Sequence, residues 1–240
     1  MIDYIAWQCD QDAYAHSGQK CSAQSVMFMH KKWNKTDLLE KWKAQAVQRN
    51  LKDLTVGPVL TWNNKQIKAH QEAILELDGT KLLWGGAPLP ANTIPEIYGS
   101  WQPTAVYVPL KHFRGEKKRK LLTTELFGPF TIVTDYGDND VDKVLEVMES
   151  CPHHLTAAVV SNDPVFTEHI LGNTVNGTQY TGYRGRTTGA PQNHWFGPCG
   201  DPRGAGIGTP YAIQLTWSHH REIVTDVGPI AEDWTAPRPS

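Results

Sequence analysis

Short runs of strongly β-forming residues alternate with longer amphipathic segments along most of this chain. In the longer segments apolar residues recur at three- and four-residue steps, which predicts helices over 2–16, 36–48, 64–77, 140–150 and 164–171. The short runs predict β-strands at 25–30, 81–84, 104–108, 131–134, 155–160 and 216–224, and a further strand or turn begins at 175–177. Strands that alternate with helices are typical of α/β domains. We therefore expect an α/β fold with a largely parallel sheet.

Composition excludes several classes of protein. The chain has 240 residues, of which 40% are hydrophobic, and a net charge of −2, which favours a globular protein that does not bind nucleic acid. Its four cysteines lie far apart without a CxxC pair, so neither a disulfide scaffold nor a zinc site is expected. No apolar run approaches the roughly 18 residues of a spanning helix. The first residues lack a leader pattern, so we expect no membrane partner and no targeting peptide.

The octapeptide SGQKCSAQ at 17–24 has the features of a nucleophilic cysteine. Gly18 permits a tight turn after the first predicted helix. Lys20 places a positive charge beside the Cys21 thiol, which favours the thiolate. Ser22 and Ala23 are small and leave room for a substrate. The alternative is a buried, inert cysteine next to a solvent-facing lysine.

Three other features carry weaker signals. The stretch 111–120 holds seven basic groups, His112 included, with little aromatic surface between them, which favours a solvated loop over a nucleic-acid patch. The histidine pairs at 153–154 and 219–220 have no acidic or thiol partners at ligand spacing, so no metal is expected there. A thiol hydrolase that uses Cys21 as the nucleophile and His194 as its base is an alternative that the chemistry of these residues allows.

The order of motifs resembles the aldehyde dehydrogenase superfamily. The runs that carry this resemblance are GQKCSA at 18–23, ELFGP at 125–129, LTAAV at 155–159, TGA at 188–190 and FG at 196–197. The detail of 17–24 and of RGRTTGAPQNHWFGP at 184–198 is similar to the plant-type delta-1-pyrroline-5-carboxylate (glutamate semialdehyde) dehydrogenases.

This resemblance implies NAD-dependent oxidation of an aldehyde, glutamate γ-semialdehyde, to the acid in proline catabolism. Cys21 would attack the aldehyde, and its backbone N–H would form half of the oxyanion hole. Glu125 and Phe127 would hold the nicotinamide-side ribose of the cofactor. Ser22 and the backbone N–H groups of Cys199 and Gly200 would bind the substrate carboxylate.

The resemblance also implies a domain organisation. Residues 1–205 would form the catalytic domain, and residues 206–240 a C-terminal arm whose strand joins a homo-oligomer. The N-terminal Rossmann-type cofactor domain, with the general-base glutamate and the oxyanion-hole asparagine, would be absent. The alternative is a truncated, inactive fragment that acts only as a folding or assembly module. By resemblance the compartment is the mitochondrial matrix, and the cytoplasm stays open.

Overall fold

The computed structural model describes residues 1–182, 214, 221–225 and 232–235. Within this part of the chain the helices are α1 Ile2–Tyr14, α2 Leu38–Ala46, α3 Asn64–Leu75, α4 Glu116–Leu122, α5 Val141–Glu149 and α6 Pro164–Gly172. The strands are β1 Val26–His30, β2 Lys81–Trp84, β3 Thr104–Tyr107, β4 Phe130–Tyr136, β5 Thr156–Val159 and β6 Thr178–Thr181. Short 3-10 turns occupy Ala15–Gly18, Lys31–Lys35, Leu110–Arg114 and Asp138–Asp140.

The strands form one four-stranded and one two-stranded sheet. The larger sheet has the order β1-β4-β3-β2, in which β1, β4 and β3 run parallel and β2 is an antiparallel edge strand. Strands β5 and β6 form a separate parallel pair. The predicted α/β class with a largely parallel sheet is therefore confirmed, and the predicted strand positions differ from the observed bounds by a few residues.

The two faces of the larger sheet carry separate cores. Because side chains alternate along a strand, Ala105 packs toward α1 and α2 whereas Val106 packs on the opposite face. On the first face the Tyr14 hydroxyl donates to the Thr104 carbonyl at 3.0 Å and accepts from the Trp84 indole N–H at 3.0 Å. These buried bonds fix the end of α1 against the sheet, and with it the start of the segment that carries Cys21.

The prediction of a solvated loop at 111–120 is wrong. This segment forms the 3-10 turn Leu110–Arg114 and helix α4. Its lysines face solvent as expected, but Phe113 within the segment and Leu122 just after it are buried in the core of the second sheet face. Glu116 lies in the first turn of α4, where a negative charge stabilises the helix dipole. The burial of Phe113 and Leu122 and the favourable first turn of α4 therefore order this segment, although its many charges suggested an irregular loop.

Two predicted elements end differently from expectation. The helix predicted over 2–16 ends at Tyr14, where the chain enters a left-handed turn. Of the final strand predicted at 216–224, residues 221–224 are described, and they carry no strand; the rest lies outside the described residues. Most of the predicted C-terminal arm at 206–240 and the end of the predicted domain 1–205 also lie outside the described residues. None of the described helices is long and apolar enough to cross a membrane.

Candidate active site around Cys21

The chain leaves α1 through a left-handed turn that presents Cys21 to solvent. His16, Ser17 and Gly18 adopt φ angles of 53°, 58° and 66°. A side-chain-bearing residue loses roughly 1–2 kcal/mol in this region of backbone space, so something must hold the turn in place. Ser17 is buried, and its hydroxyl oxygen accepts a hydrogen bond from the Gly57 N–H at 2.7 Å. Cys21 is therefore an exposed thiol on an anchored turn.

This turn is in backbone contact with the ELFGP segment at 125–129. A Cβ built on Gly18 would lie 2.2 Å from the carbonyl oxygen of Gly128 and 2.9 Å from that of Ala13. No residue with a side chain fits this space, and the positive φ also favours glycine. The two motifs that the sequence singled out are thus packed together, although they are far apart along the chain.

A cavity of about 450 Å³ lies between these segments. Its lining includes Cys21, Glu125 and Phe127, so the structure brings three of the predicted site residues to one cavity. Much of the remaining lining is apolar and comes from the face of β1 and β4 and from the β5 region. Such a concave, largely apolar space with a few polar groups is the usual form of a small-molecule site.

Glu125 and Phe127 differ in how the protein holds them. Glu125 is open to solvent on one side, yet partial burial raises the pKa of its carboxyl above the ordinary value. The charge of nearby His153, which also lines the cavity, lowers that pKa by a smaller amount. Phe127 has a φ angle of 51°, a conformation that is strained for an aromatic residue and persists only where the surroundings fix it.

The described part of the structure does not bring the predicted substrate-binding residues to the cavity as it does Cys21, Glu125 and Phe127. Ser22 is only 7% exposed and does not contribute to the cavity lining. Cys199 and Gly200 lie outside the described residues, as do the motifs at 188–190 and 196–197 and the residue His194. Their predicted roles stay predictions.

Two residues near the thiol had no assigned role in the sequence. Asp12 is 3% exposed and lines the cavity together with Cys21. Partial burial raises the pKa of Tyr180 to about 12, and Asp12 and Cys21 lie close enough to act on its hydroxyl electrostatically in the same direction. No local pattern could reveal this grouping, because Tyr180 comes from β6 and reaches the site only through the tertiary fold.

The backbone of the Cys21 turn offers a free donor. The Ala23 N–H donates to the Lys20 carbonyl at 3.0 Å, and the Gln24 N–H donates to the Asp12 carbonyl at 2.8 Å. Among the described residues the Cys21 N–H has no acceptor. A free N–H beside an exposed thiol can stabilise the oxygen of a carbonyl group that the thiol attacks.

Two side chains of the cavity are of the kinds that hold an organic cofactor. No cluster of three or more metal-ligating side chains occurs in the described ranges. Glu125 and Phe127 fit part of a dinucleotide, because a carboxylate accepts hydrogen bonds from ribose hydroxyls and an aromatic ring packs against a flat sugar or base. Both side chains reach the cavity that also holds the thiol.

Comparison with known proteins identifies the family of this chain. Residues 2–197 match the model of the aldehyde dehydrogenase family. The chain is 58% identical over 237 residues to the mitochondrial delta-1-pyrroline-5-carboxylate dehydrogenase 12A1 of Arabidopsis thaliana, with 98% of this chain and 43% of that protein covered. The chain thus spans less than half the length of this curated relative.

Solved structures of low sequence identity share the fold. Glyceraldehyde-3-phosphate dehydrogenase GapN from Methanocaldococcus jannaschii, complexed with NADP, superposes with a TM-score of 0.68 at 16% identity, covering 90% of this chain and 44% of that one. Aldehyde dehydrogenase 21 from Physcomitrella patens, in complex with the reaction product succinate, superposes with a TM-score of 0.67 at 19% identity, covering 89% and 42%. With a family model that matches most of its length, this chain belongs to the aldehyde dehydrogenase family.

Proposed function

We propose that this chain carries the nucleophile and part of the cofactor site of an NAD-dependent aldehyde dehydrogenase that oxidises glutamate γ-semialdehyde to glutamate. The observation that carries the proposal is the meeting of Cys21, Glu125 and Phe127 at one cavity. The 58% identity to a delta-1-pyrroline-5-carboxylate dehydrogenase supports the choice of substrate, since that name denotes an enzyme acting on the cyclic form of this aldehyde.

In the proposed reaction the Cys21 thiolate attacks the aldehyde carbon and forms a thiohemiacetal. The Cys21 N–H donates to the oxygen that becomes negatively charged, which lowers the barrier to attack. A bound NAD would supply the acceptor for the hydride that leaves the thiohemiacetal carbon, and loss of that hydride would leave a thioester on Cys21. Water then cleaves the C–S bond, which releases the carboxylic acid and returns the thiol to Cys21.

Glu125 and Phe127 are proposed to hold the cofactor side of the cavity. The raised pKa of Glu125 still leaves its carboxyl an effective hydrogen-bond acceptor for sugar hydroxyls. Ser22, Cys199 and Gly200 are proposed to hold the substrate carboxylate. A homo-oligomer formed through the C-terminal strand and a mitochondrial location complete the proposal, and the relative's mitochondrial name supports the location.

The direct test measures NADH formation by the purified chain with glutamate γ-semialdehyde and NAD. We expect turnover that is abolished in Cys21→Ser and retained in Cys151→Ser, since Cys151 is a second cysteine that lines the same cavity. Glu125→Gln should raise the KM for NAD more than it lowers kcat. Pentanal, which lacks the amino and carboxylate groups, should be a poorer substrate than the semialdehyde.

The alternative of an inactive assembly module predicts a different pattern. In that case the folded wild-type chain and Cys21→Ser both fail to form NADH, although the chain associates with itself in sedimentation experiments. Equal turnover by the wild-type chain and Cys21→Ser would reject the proposed nucleophile.

A further inference from the structure

A loop far from Cys21 in sequence holds both segments of the candidate site. Residues 57–61 run between the Cys21 turn and the ELFGP segment, and we name them the brace. The centre of the brace is anchored to the rest of the protein. Val59 is fully buried, and its backbone exchanges two hydrogen bonds with Gly99, at 2.7 and 2.9 Å.

Two side chains fasten the Cys21 turn to the brace. The Ser17 hydroxyl accepts from the Gly57 N–H at 2.7 Å. The Gln19 amide spans the next residues, because its Nε2 donates to the Pro58 carbonyl at 2.8 Å and its Oε1 accepts from the Leu60 N–H at 2.9 Å. Gln19 therefore pairs with the loop as a neighbouring strand would, with both ends of the amide held.

The far end of the brace reaches the cofactor side of the cavity. The Thr61 hydroxyl donates to the carbonyl oxygen of Leu126 at 3.2 Å, between Glu125 and Phe127. Val59 also packs against the backbone of Gly128, since a Cβ built there would lie 3.3 Å from either Val59 methyl group. One loop is thus bonded to the segments that carry Cys21 and Glu125.

We propose that the brace sets the geometry of nucleophilic attack, with Ser17 and Gln19 as positioning residues for Cys21. This inference rests on the proposed role of Cys21 as nucleophile. Attack on a carbonyl needs the thiolate and the free Cys21 N–H at fixed positions relative to the carbonyl compound in the cavity, and small misplacements reduce such rates steeply. Both groups follow Gln19 within two residues, so the bonds of Gln19 determine where they point.

The test compares two reactions of the same thiol. In acylation by p-nitrophenyl acetate the Cys21 sulfur forms a bond to the acetyl carbon, and the C–O bond to the departing p-nitrophenolate breaks. In alkylation by iodoacetamide the sulfur displaces iodide from carbon. Acylation creates an oxyanion and depends on the Cys21 N–H, whereas alkylation needs only an accessible thiolate. Neither reaction requires NAD.

Gln19→Met keeps the length of the side chain and removes both bonds to the brace. We expect the p-nitrophenolate burst of this variant to slow on the order of tenfold, while alkylation of Cys21 changes by less than about twofold because the thiol stays exposed. Gln48→Met is the matched control: its side chain donates one bond to the Ala44 carbonyl at 2.8 Å on α2 and should leave both rates unchanged. Ser17→Ala should behave as Gln19→Met does.

The possible results separate the inference from the proposed function. A wild-type burst that depends on Cys21 but is unchanged in Gln19→Met and Ser17→Ala overturns the positioning role alone. Acylation and alkylation that fall by the same factor also overturn it, because that pattern indicates a general loss of structure. A wild-type chain whose burst persists in Cys21→Ser overturns both the nucleophile and its positioning.

Discussion

Gly18→Ala is a small substitution that the structure predicts to be strongly destabilising. The new Cβ would lie 2.2 Å from the Gly128 carbonyl oxygen and 2.7 Å from its carbon. Both are backbone atoms, so no side-chain rotation relieves the contact. Real Cβ atoms do not approach this closely, and the Cys21 turn must therefore move away from the ELFGP segment.

The expected loss of stability has two parts, which variants at other glycines can measure separately. The φ angle of 66° at Gly18 adds roughly 1–2 kcal/mol for any residue with a side chain. Forcing an extra methyl group into a packed site adds about 1–3 kcal/mol. We expect a total loss of about 2–5 kcal/mol in the free energy of unfolding, which is a large share of the stability of a typical domain.

Two matched variants isolate these parts in urea-unfolding experiments. Gly182 has a φ angle of 84°, and no atom of the described residues beyond its chain neighbours lies within 4 Å of its Cβ position, so Gly182→Ala measures the backbone cost without a contact among them. Gly172 ends α6 without a positive φ and, apart from its neighbours in the helix, with no atom in the described part of the chain within 4 Å of its Cβ position, so Gly172→Ala should change stability by less than about 1 kcal/mol. A loss in Gly18→Ala no larger than that in Gly182→Ala would refute the contact between the two motifs.

Three further outcomes follow from buried charges and thiols. Burial holds the pKa of His70 below its ordinary value of 6.5, so the unfolded chain binds the proton first and stability falls as the pH drops below that value. His70→Phe should flatten this loss when urea unfolding is compared at about pH 7.5 and about pH 5.5, and an unchanged slope would contradict it. Iodoacetamide should label exposed Cys21 before Cys9, whose burial raises its pKa to about 12, as peptide mapping would show; equal labelling of the folded chain would count against the site. The Arg49 guanidinium donates to the buried Asp10 carboxylate at 2.5 Å. In urea unfolding, Arg49→Met should lower the free energy of unfolding by about 3–5 kcal/mol because it leaves the buried carboxylate without its partner. The double variant with Asp10→Leu should recover part of this loss.

The parts of the fold that could be predicted from sequence are those that depend on local residue patterns, such as apolar spacing and turn residues. The apolar spacing of α1 and the glycine after it placed Cys21 in a turn, and the alternation of elements indicated a parallel sheet. The prediction for segment 111–120 was wrong because its charged residues outnumber Phe113, whose burial orders the segment together with that of Leu122 just beyond it. Counting charged and apolar residues in a segment treats them all alike, whereas most of the stabilising free energy comes from the few side chains that are buried in the core.

The candidate site shows the same division. Cys21 was predicted from its local motif, and Glu125 and Phe127 were predicted from the family resemblance; the structure brings all three to one cavity. The brace was missed because Gln19 bonds to backbone groups of Pro58 and Leu60, and backbone groups leave no trace in side-chain patterns. Tyr180 was missed for a related reason, since its closeness to Cys21 arises from the position of β6 and from no spacing within the chain.

The most direct test of the central claim is to trap the covalent intermediate. The chain is mixed with glutamate γ-semialdehyde and NAD, quenched with acid within one turnover, digested and mapped by mass spectrometry. The account predicts a γ-glutamyl thioester on the peptide that contains Cys21, and on no other cysteine. Glutamate formation without an acyl group on Cys21, or an acyl group on a different cysteine, would contradict it.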